Sequence, residues 1–385
     1  MVRGVARWML DPSVVYLNHG GFGGVLDVVA DCQSEVRARM EANPTRFFTR
    51  DFPDLLDEQR MALGRFVGAD PEGLAFVTNA TAGVNTVLRS LRFERGDEIL
   101  VTDHGYNACT NAARAVADAA GAVVVEAKIP FPVASSEQVV KAMTSAVTDR
   151  TRLVLVDHVT SPTALVFDVA SIAEAVEGVP VLVDGAHGPG MVGFDIESLG
   201  VAFYTGNCHK WMCAPKGSAF LWVHESFRDE VEPLAISHGW NGMYPGGNRF
   251  RRLFDFTGTF DASSVLSVST AIDAVGDLIE GGWPAVYRAN HRLAVAGRRI
   301  LLDAVGGDEG APEAMVGSMA SVVLPSGPEH LGARLAARHR IEIPVFGWRG
   351  ARIVRLSAQL HNSEDQYRTL ARAVIDLLDE EPIEP

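Results

Sequence analysis

Two side chains in this sequence have types and spacing suited to chemistry on a carbonyl cofactor. Lys210 stands in the run Thr205-Gly-Asn-Cys-His-Lys-Trp-Met-Cys-Ala-Pro-Lys-Gly217, and Asp184 closes the apolar run Pro180-Val-Leu-Val-Asp184 upstream. A lysine amine can hold an aldehyde as a Schiff base. A carboxylate can keep a pyridine nitrogen protonated, so that the ring accepts electrons from a carbanion. The sequence between them has room for a turn, the short strand Val201-Ala-Phe-Tyr-Thr205 and a return loop, which brings both residues to one sheet edge. Alone, the lysine reads as a surface residue and the aspartate as a helix cap; together they describe a pyridoxal phosphate site. A third element, Thr78-Asn-Ala-Thr-Ala-Gly-Val-Asn85, leaves a strand and opens a helix. Its free amides, hydroxyl and dipole suit a phosphate, with an ordinary helix cap as the competing reading.

The elements that must position these groups are short β-branched runs separated by helical stretches. They are Leu74–Thr78, Glu98–Thr102, Ala122–Glu126, Leu153–Asp157 and Pro180–Asp184. The pattern predicts an α/β domain with a buried, mainly parallel sheet, extended by Val201–Thr205 and Ser218–Val223 to seven strands. Ligands in such sheets sit beyond the carboxyl ends of the strands, where Thr78, Asp157, Asp184 and Thr205 all fall. After about Phe260 the periodicity becomes helical, over Ser263–Glu280 and Pro284–Ala304. Short strands follow near Ser318–Leu324 and Ala351–Ser357, then a last helix from about Ser363 to Leu378. The expected organisation is an N-terminal segment 1–20, a large cofactor-binding domain 21–260 and a smaller C-terminal α+β domain 261–385. The Gly/Pro-rich stretch His238–Asn248 reads as a loop whose aromatics line a cleft or a subunit contact.

The 385 residues, 47% of them hydrophobic, suffice for a large core. A formal charge of −14 with no Lys/Arg block argues against nucleic acid as a partner. No apolar run is long enough to span a membrane and the N-terminus lacks a leader pattern, so the expected location is the cytoplasm. Cys32, Cys109, Cys208 and Cys213 show neither a disulfide framework nor a zinc spacing, and are expected to be reduced and mostly structural, with no metal. The acidic end Asp379–Pro385 reads as a solvated tail.

Val183-Asp-Gly-Ala-His187, Asn207-Cys-His-Lys-Trp211 with Ala214-Pro-Lys-Gly217, and Val354-Arg-Leu-Ser-Ala-Gln-Leu-His-Asn362 resemble the class V aminotransferases, of pyridoxal phosphate fold type I. Tyr16-Leu-Asn-His-Gly-Gly-Phe-Gly23, Asp103-His-Gly-Tyr106, Asp157-His-Val-Thr-Ser-Pro-Thr163 and Pro344-Val-Phe-Gly-Trp348 are similar to motifs of the isopenicillin N epimerase-like branch. The likeness covers essentially the whole chain. It implies that Lys210 holds pyridoxal 5'-phosphate and moves the Cα proton, that Asp184 pairs with the ring nitrogen, and that His187 lies near the ring oxygen. Ala80, Thr81, Asn207 and His209 would hold the phosphate, Asn207 standing where related desulfurases often have serine. Tyr106 or His104 would cover the ring, with Tyr106 favoured by the branch pattern. Thr259, in Thr257-Gly-Thr-Phe-Asp261, would reach the phosphate of a second subunit, implying a homodimer with shared sites. Arg355 would grip the substrate α-carboxylate, and Asn18, His19 and Phe22 would approach the substrate, although the glycines beside them could equally mark a tight chain entry. His361 departs from the tyrosine common in the family.

The same resemblance leaves several reactions open, because this scaffold hosts epimerases, desulfurases and carbon–sulfur lyases. A persulfide-forming desulfurase needs a mobile cysteine in its later half, and no cysteine follows Cys213. Epimerisation needs a second acid/base such as His104, His19 or Tyr106, whereas β-elimination needs only Lys210 and a leaving group. The leading expectation is a C–S β-lyase acting on a cysteine S-conjugate in natural-product metabolism such as antibiotic biosynthesis. The alternatives are an amino acid epimerase, a decarboxylating or deaminating enzyme, and a fold retained only for binding.

Overall fold

The structure, a computed structural model, describes residues 7–243, 247–325 and 330–379. A short strand β1 (Val15–Tyr16) precedes the strands of the large unit: β2 (Leu74–Val77), β3 (Glu98–Thr102), β4 (Val123–Ala127), β5 (Thr151–Asp157), β6 (Val181–Gly185), β7 (Phe203–Asn207) and β8 (Ala219–Val223). These seven form one sheet in the order β2-β8-β7-β6-β5-β3-β4, in which only β8 runs against its neighbours. The expected seven-stranded, mainly parallel sheet is therefore present. Its strands read as unbroken apolar runs because helices cover both faces, and β6, β7 and β8 are buried at every position.

Register decides what meets at the sheet edge. Asp157 pairs in register with Asp184, and Asp184 with Thr205, so three neighbouring strands end on polar side chains at one level. The helix Ala80–Ser90 packs over β7, and Gly83 permits it to come this close: a Cβ there would lie 2.1 Å from Thr205 Oγ1. Asn79 caps this helix, accepting from the Ala82 amide at 2.9 Å.

The smaller unit contains β9 (Asp308–Glu309), β10 (Met319–Leu324), β11 (Ile341–Glu342), β12 (Val345–Trp348) and β13 (Ala351–Ser357). Four of these make an antiparallel sheet, β12-β13-β10-β9, packed by the helices Gly282–Val305 and Glu364–Asp379. β11 instead pairs in parallel with β1, and Leu17 is buried in the core of the small unit. Val15–Leu17 of the N-terminal segment thus join the C-terminal unit, while Trp8 packs against the large core.

The division expected at residue 260 lies later in the packing. Ala262, Val265 and Leu266 join Phe47, Phe52 and Leu56, while Val268, Ala271 and Val275 join the large core. The chain turns at Gly281–Gly282, both with positive φ (94° and 61°), and crosses over within the helix Gly282–Val305, whose Val286 lies in the large core and whose Ala294 and Leu301 lie in the small one. The helix expected over Ser263–Glu280 is accordingly shorter, Val268–Gly276, after a 3₁₀ turn at Val265–Ser267. The stretch His238–Asn248 carries a 3₁₀ turn at His238–Asn241; Tyr244 and the acidic end 380–385 lie outside the described residues.

One buried ion pair ties the large unit together. Arg60 donates to Asp255 at 2.6 Å, with the arginine side chain 1% and the aspartate 7% exposed. Removing Asp255 leaves the buried Arg60 with only its longer carboxylate contact, to Asp57 at 3.4 Å. Asp255→Ala is expected to cost roughly 3–5 kcal/mol, read as a lower midpoint in urea unfolding of the cofactor-loaded protein.

No described helix is long and apolar enough to cross a membrane. The four cysteines are free, with Cys109, Cys208 and Cys213 buried.

Candidate active site

Lys210 follows β7 on a loop seated against the N-terminal segment. Gly23, at φ 73°, shows how tight that seat is: a Cβ there would lie 2.0 Å from the His209 carbonyl oxygen. Beside it, His19 is fully buried and donates from Nε2 to the Lys210 carbonyl at 3.1 Å, while its Nδ1 lies 3.3 Å from His361 Nε2. His19 therefore clamps the lysine's backbone instead of facing a substrate, as the sequence had suggested. His361, where tyrosine was expected, serves as the clamp's support.

The lysine amine is buried. Loss of hydration, with Arg355 adding a smaller repulsion, pulls its pKa down to about 8. Its contact with His187 points the same way. The Trp211 indole donates to His187 Nδ1 at 3.3 Å, so in the neutral imidazole the proton sits on Nε2. Burial keeps that imidazole neutral by holding its pKa well below the ordinary value. Nε2–H then points at Lys210 Nζ, 3.1 Å away, and requires an amine lone pair to receive it. The tautomer fixed by Trp211 thus favours the nucleophilic form of Lys210. The rate at which the apoprotein takes up an aldehyde cofactor should rise about tenfold per pH unit up to about 8 and then level off, because only the neutral amine attacks. Stopped-flow absorbance across pH checks this; a rate still climbing at the ordinary lysine pKa would contradict it.

At the end of β6, Asp184 accepts from the Ala186 amide through Oδ1 and from the Cys109 thiol through Oδ2, both at 3.0 Å. Burial, and then the Asp184 charge, drive the Cys109 thiol's pKa up and keep it a donor. Asp157 lies beside Asp184, and burial together with that neighbour pushes its pKa well above the usual carboxylate range. The Tyr106 amide bears on the Asp157 carboxyl and anchors the turn after β3.

The turn separates the two ring candidates. His104 is fully buried, with Nδ1 2.7 Å from Thr163 Oγ1 and Nε2 3.3 Å from the Ile129 carbonyl. Its ring packs on Trp348 and Phe131. It is a core residue joining the turn to the loop at 160–163, so the acid/base role expected of it does not hold. Tyr106 is 44% exposed and lines a cavity of about 420 Å³ with Arg355, Ser161 and Trp348.

Arg355 reaches this cavity from β13 of the small unit. Its Nη1 donates to the carbonyl and hydroxyl of Ser161, while its Nε is buried without a partner. Burial pulls its pKa down to about 10, so it remains a cation at neutral pH. An anchored guanidinium with an open, desolvated edge suits a carboxylate.

Around the start of the helix Ala80–Ser90, Asn207 Oδ1 accepts from the Ala80 amide at 2.9 Å and Asn79 holds Ala82. Asn207 thus shapes the anion seat, and the Thr81 amide remains between the two held ones. His209 commits Nδ1 to the Ser218 carbonyl at 3.0 Å. Asn18 Oδ1 is buried without a partner, whereas Phe22 is 71% exposed and stands away from the buried groups. Thr259 lies on an exposed bend. From that bend Thr257 and Phe260 line an apolar cavity with Thr78 and Ala82, beside the anion seat.

An amine for an aldehyde, a carboxylate for a ring nitrogen and a helix N-terminus for a phosphate fit pyridoxal 5'-phosphate. A family model described as aminotransferase class-V matches residues 17–361. The chain belongs to the class-V aminotransferases. It is 35% identical to an isopenicillin N epimerase of Amycolatopsis lactamdurans, with 96% of each chain covered. It is 29% identical to a probable chloroplastic L-cysteine desulfhydrase of Arabidopsis thaliana, covering 96% of this chain and 84% of that one. Among solved structures it matches the cystine C–S lyase C-DES in complex with its product cysteine persulfide, at TM-score 0.82 and 22% identity, covering 95% and 98% of the two chains. Like other class-V aminotransferases it is a pyridoxal phosphate-dependent enzyme of fold type I.

Sequence reasoning did not find the Cys109 and Asp157 contacts to Asp184, the Trp211 indole behind His187, or Ser161 behind Arg355. Asp157 did carry a signal, a second strand-ending aspartate one strand away from the first. The others depend on contacts between distant segments.

Proposed function

We propose that this class-V enzyme is a C–S β-lyase that acts on a cysteine S-conjugate, releasing a thiol and a three-carbon fragment that one water hydrolyses to pyruvate and ammonia. One observation carries the reading: both imidazoles that could act as a second proton carrier, His104 and His19, have both ring nitrogens engaged by other protein groups. Elimination needs one base, and Lys210 is that base in this reading. When bound, the cofactor supplies an electron sink that acidifies the substrate Cα hydrogen. Asp184 would hold the ring nitrogen, His187 the ring oxygen, and Thr81 with Ala80, Asn207 and His209 the phosphate seat. Tyr106 would cover the ring.

Arg355 fixes the substrate through its α-carboxylate, and the proton lost from Cα passes to Lys210 Nζ as the Cβ–S bond breaks. The state that His187 favours for Lys210, a neutral amine, is the one able to take it. Persulfide formation on the protein is disfavoured, since burial drives the Cys208 and Cys213 thiols up and away from thiolate. The reading includes a homodimer in which Thr259 of each copy approaches the other's phosphate seat, a cytoplasmic location and a role in natural-product metabolism.

Epimerisation is the second reading, favoured by the 35% and 33% identity to isopenicillin N epimerases of Amycolatopsis lactamdurans and Streptomyces clavuligerus. Tyr106 would then be the second acid. Incubating the cofactor-loaded protein with cysteine S-conjugates in deuterated water separates the two. Pyruvate and free thiol are expected. Intact thioether carrying Cα deuterium, without pyruvate, would overturn the lyase and support the epimerase.

A further inference from the structure

The cavity of about 420 Å³ beside Arg355 and Tyr106 is built from both units of the molecule. Thr102 lines it from the end of β3, 2% exposed, with its hydroxyl unpartnered among the described residues. From the small unit comes the tip of the β12–β13 hairpin. There Arg349, with φ 49°, places its guanidinium 5.4 Å from the centre of the Trp348 ring and pairs with Asp103. Arg114 lines the same cavity and pairs with Glu126 at 2.7 Å.

The acidic groups here are already committed. Asp103 accepts from the Ile129 amide through Oδ1 and from Arg349 through Oδ2. Glu126 accepts from Arg114 and Lys128, both at 2.7 Å. The guanidiniums are not saturated, because each carries five N–H donors and spends only part of them on these carboxylates. With Arg355 left to the α-carboxylate, Arg349 and Arg114 of the lining and Lys128 just outside it are three cations against Asp103 and Glu126, in a chain of net charge −14. An apolar group filling this space would leave the Thr102 hydroxyl and several guanidinium donors covered and unpaired, which is costly, and of the polar groups that could accept from them a carboxylate makes the stronger, charge-assisted bonds.

We infer that this cavity receives the distal end of the substrate and that this end is anionic: a cysteine conjugate whose departing thiol carries a carboxylate. The inference rests on the β-lyase reading for the conjugate, and on the cavity alone for the charge. With the α-carboxylate on Arg355, the tail runs past Tyr106 and Thr102 toward Arg349 and Arg114. Arg349 and Arg114 are 40% and 50% exposed, so the preference they confer is limited by solvent.

The test compares S-(2-carboxyethyl)-L-cysteine with S-(2-carbamoylethyl)-L-cysteine, which differ in charge and hardly in shape. Dissociation constants are taken by stopped-flow absorbance of the cofactor-loaded protein before turnover. The carboxylate should bind about tenfold more tightly, and the ratio should fall toward one in Arg349→Gln and in Arg114→Gln. Arg114 is the safeguard should loss of Arg349 unseat Asp103. Equal binding of the two ligands to the unmodified protein overturns the inference, as does a preference that survives both substitutions. Pyruvate is followed in parallel. Its absence alongside a preserved charge preference sinks the lyase and spares the pocket, whereas pyruvate without a charge preference does the reverse.

Discussion

Lys210→Ala is expected to lower turnover by a factor on the order of 10⁴ or more while leaving the fold intact. The loss combines two functions: the amine that holds the cofactor and the base that moves the Cα proton, the latter alone typically accounting for about 10²–10⁴. Folding should survive, because the Lys210 contacts that pack the loop are made by its backbone. His19 binds the Lys210 carbonyl, and the Cys213 amide binds it at 3.1 Å. Removing the amine also frees His187 Nε2 from its partner without exposing a charge. The readouts are the absorbance band of the bound cofactor, pyruvate formation, and the thermal midpoint. Full activity in a well-folded variant would remove Lys210 from the mechanism.

Arg355→Gln is expected to lower kcat/KM by about 10²–10³ for any amino acid substrate, since it replaces a desolvated guanidinium–carboxylate pair with a neutral amide. Arg355→Lys should restore only part of the loss: an ammonium lacks the planar fork and cannot hold Ser161 while presenting a second edge. The effect should fall on substrate affinity as well as turnover, because a carboxylate held at one point leaves the Cα bonds free to rotate away from the reactive alignment. A variant with unchanged kcat/KM would show that the carboxylate is held elsewhere and that the open edge of Arg355 is structural.

The sheet was legible because buried parallel strands leave a simple mark, short β-branched runs ending in polar residues, and β2 through β8 fall where those runs stand. Lys210 and Asp184 were legible because both lie at strand ends or just after them. The small-unit boundary was not. The apolar spacing of Ala262–Val275 suits either core, and only the packing on Phe52 and Leu56 shows which one it joins. The residues of the turn do not by themselves separate His104 from Tyr106, two positions apart, and only the branch resemblance favours the tyrosine. What the sequence could not supply is that Thr163 and Ile129 occupy both nitrogens of the histidine. His19 escaped for a similar reason: an imidazole beside glycines resembles a ligand contact until its partners, a backbone carbonyl at position 210 and a ring at position 361, are brought to it.

That histidine carries a consequence for how the molecule is made. Strand β1 has no partner until Ile341–Glu342 exists, and the His19 ring has no support until His361 does. On the ribosome the seven-stranded sheet can assemble while β1 is still unpaired and the His19 ring unsupported, since domains fold as units as they emerge. The loop bearing Lys210 is therefore translated long before the clamp that steadies it can close. A chain arrested before residue 341 would display a formed sheet and an unsecured lysine, and the final stretch of synthesis converts that scaffold into a catalyst.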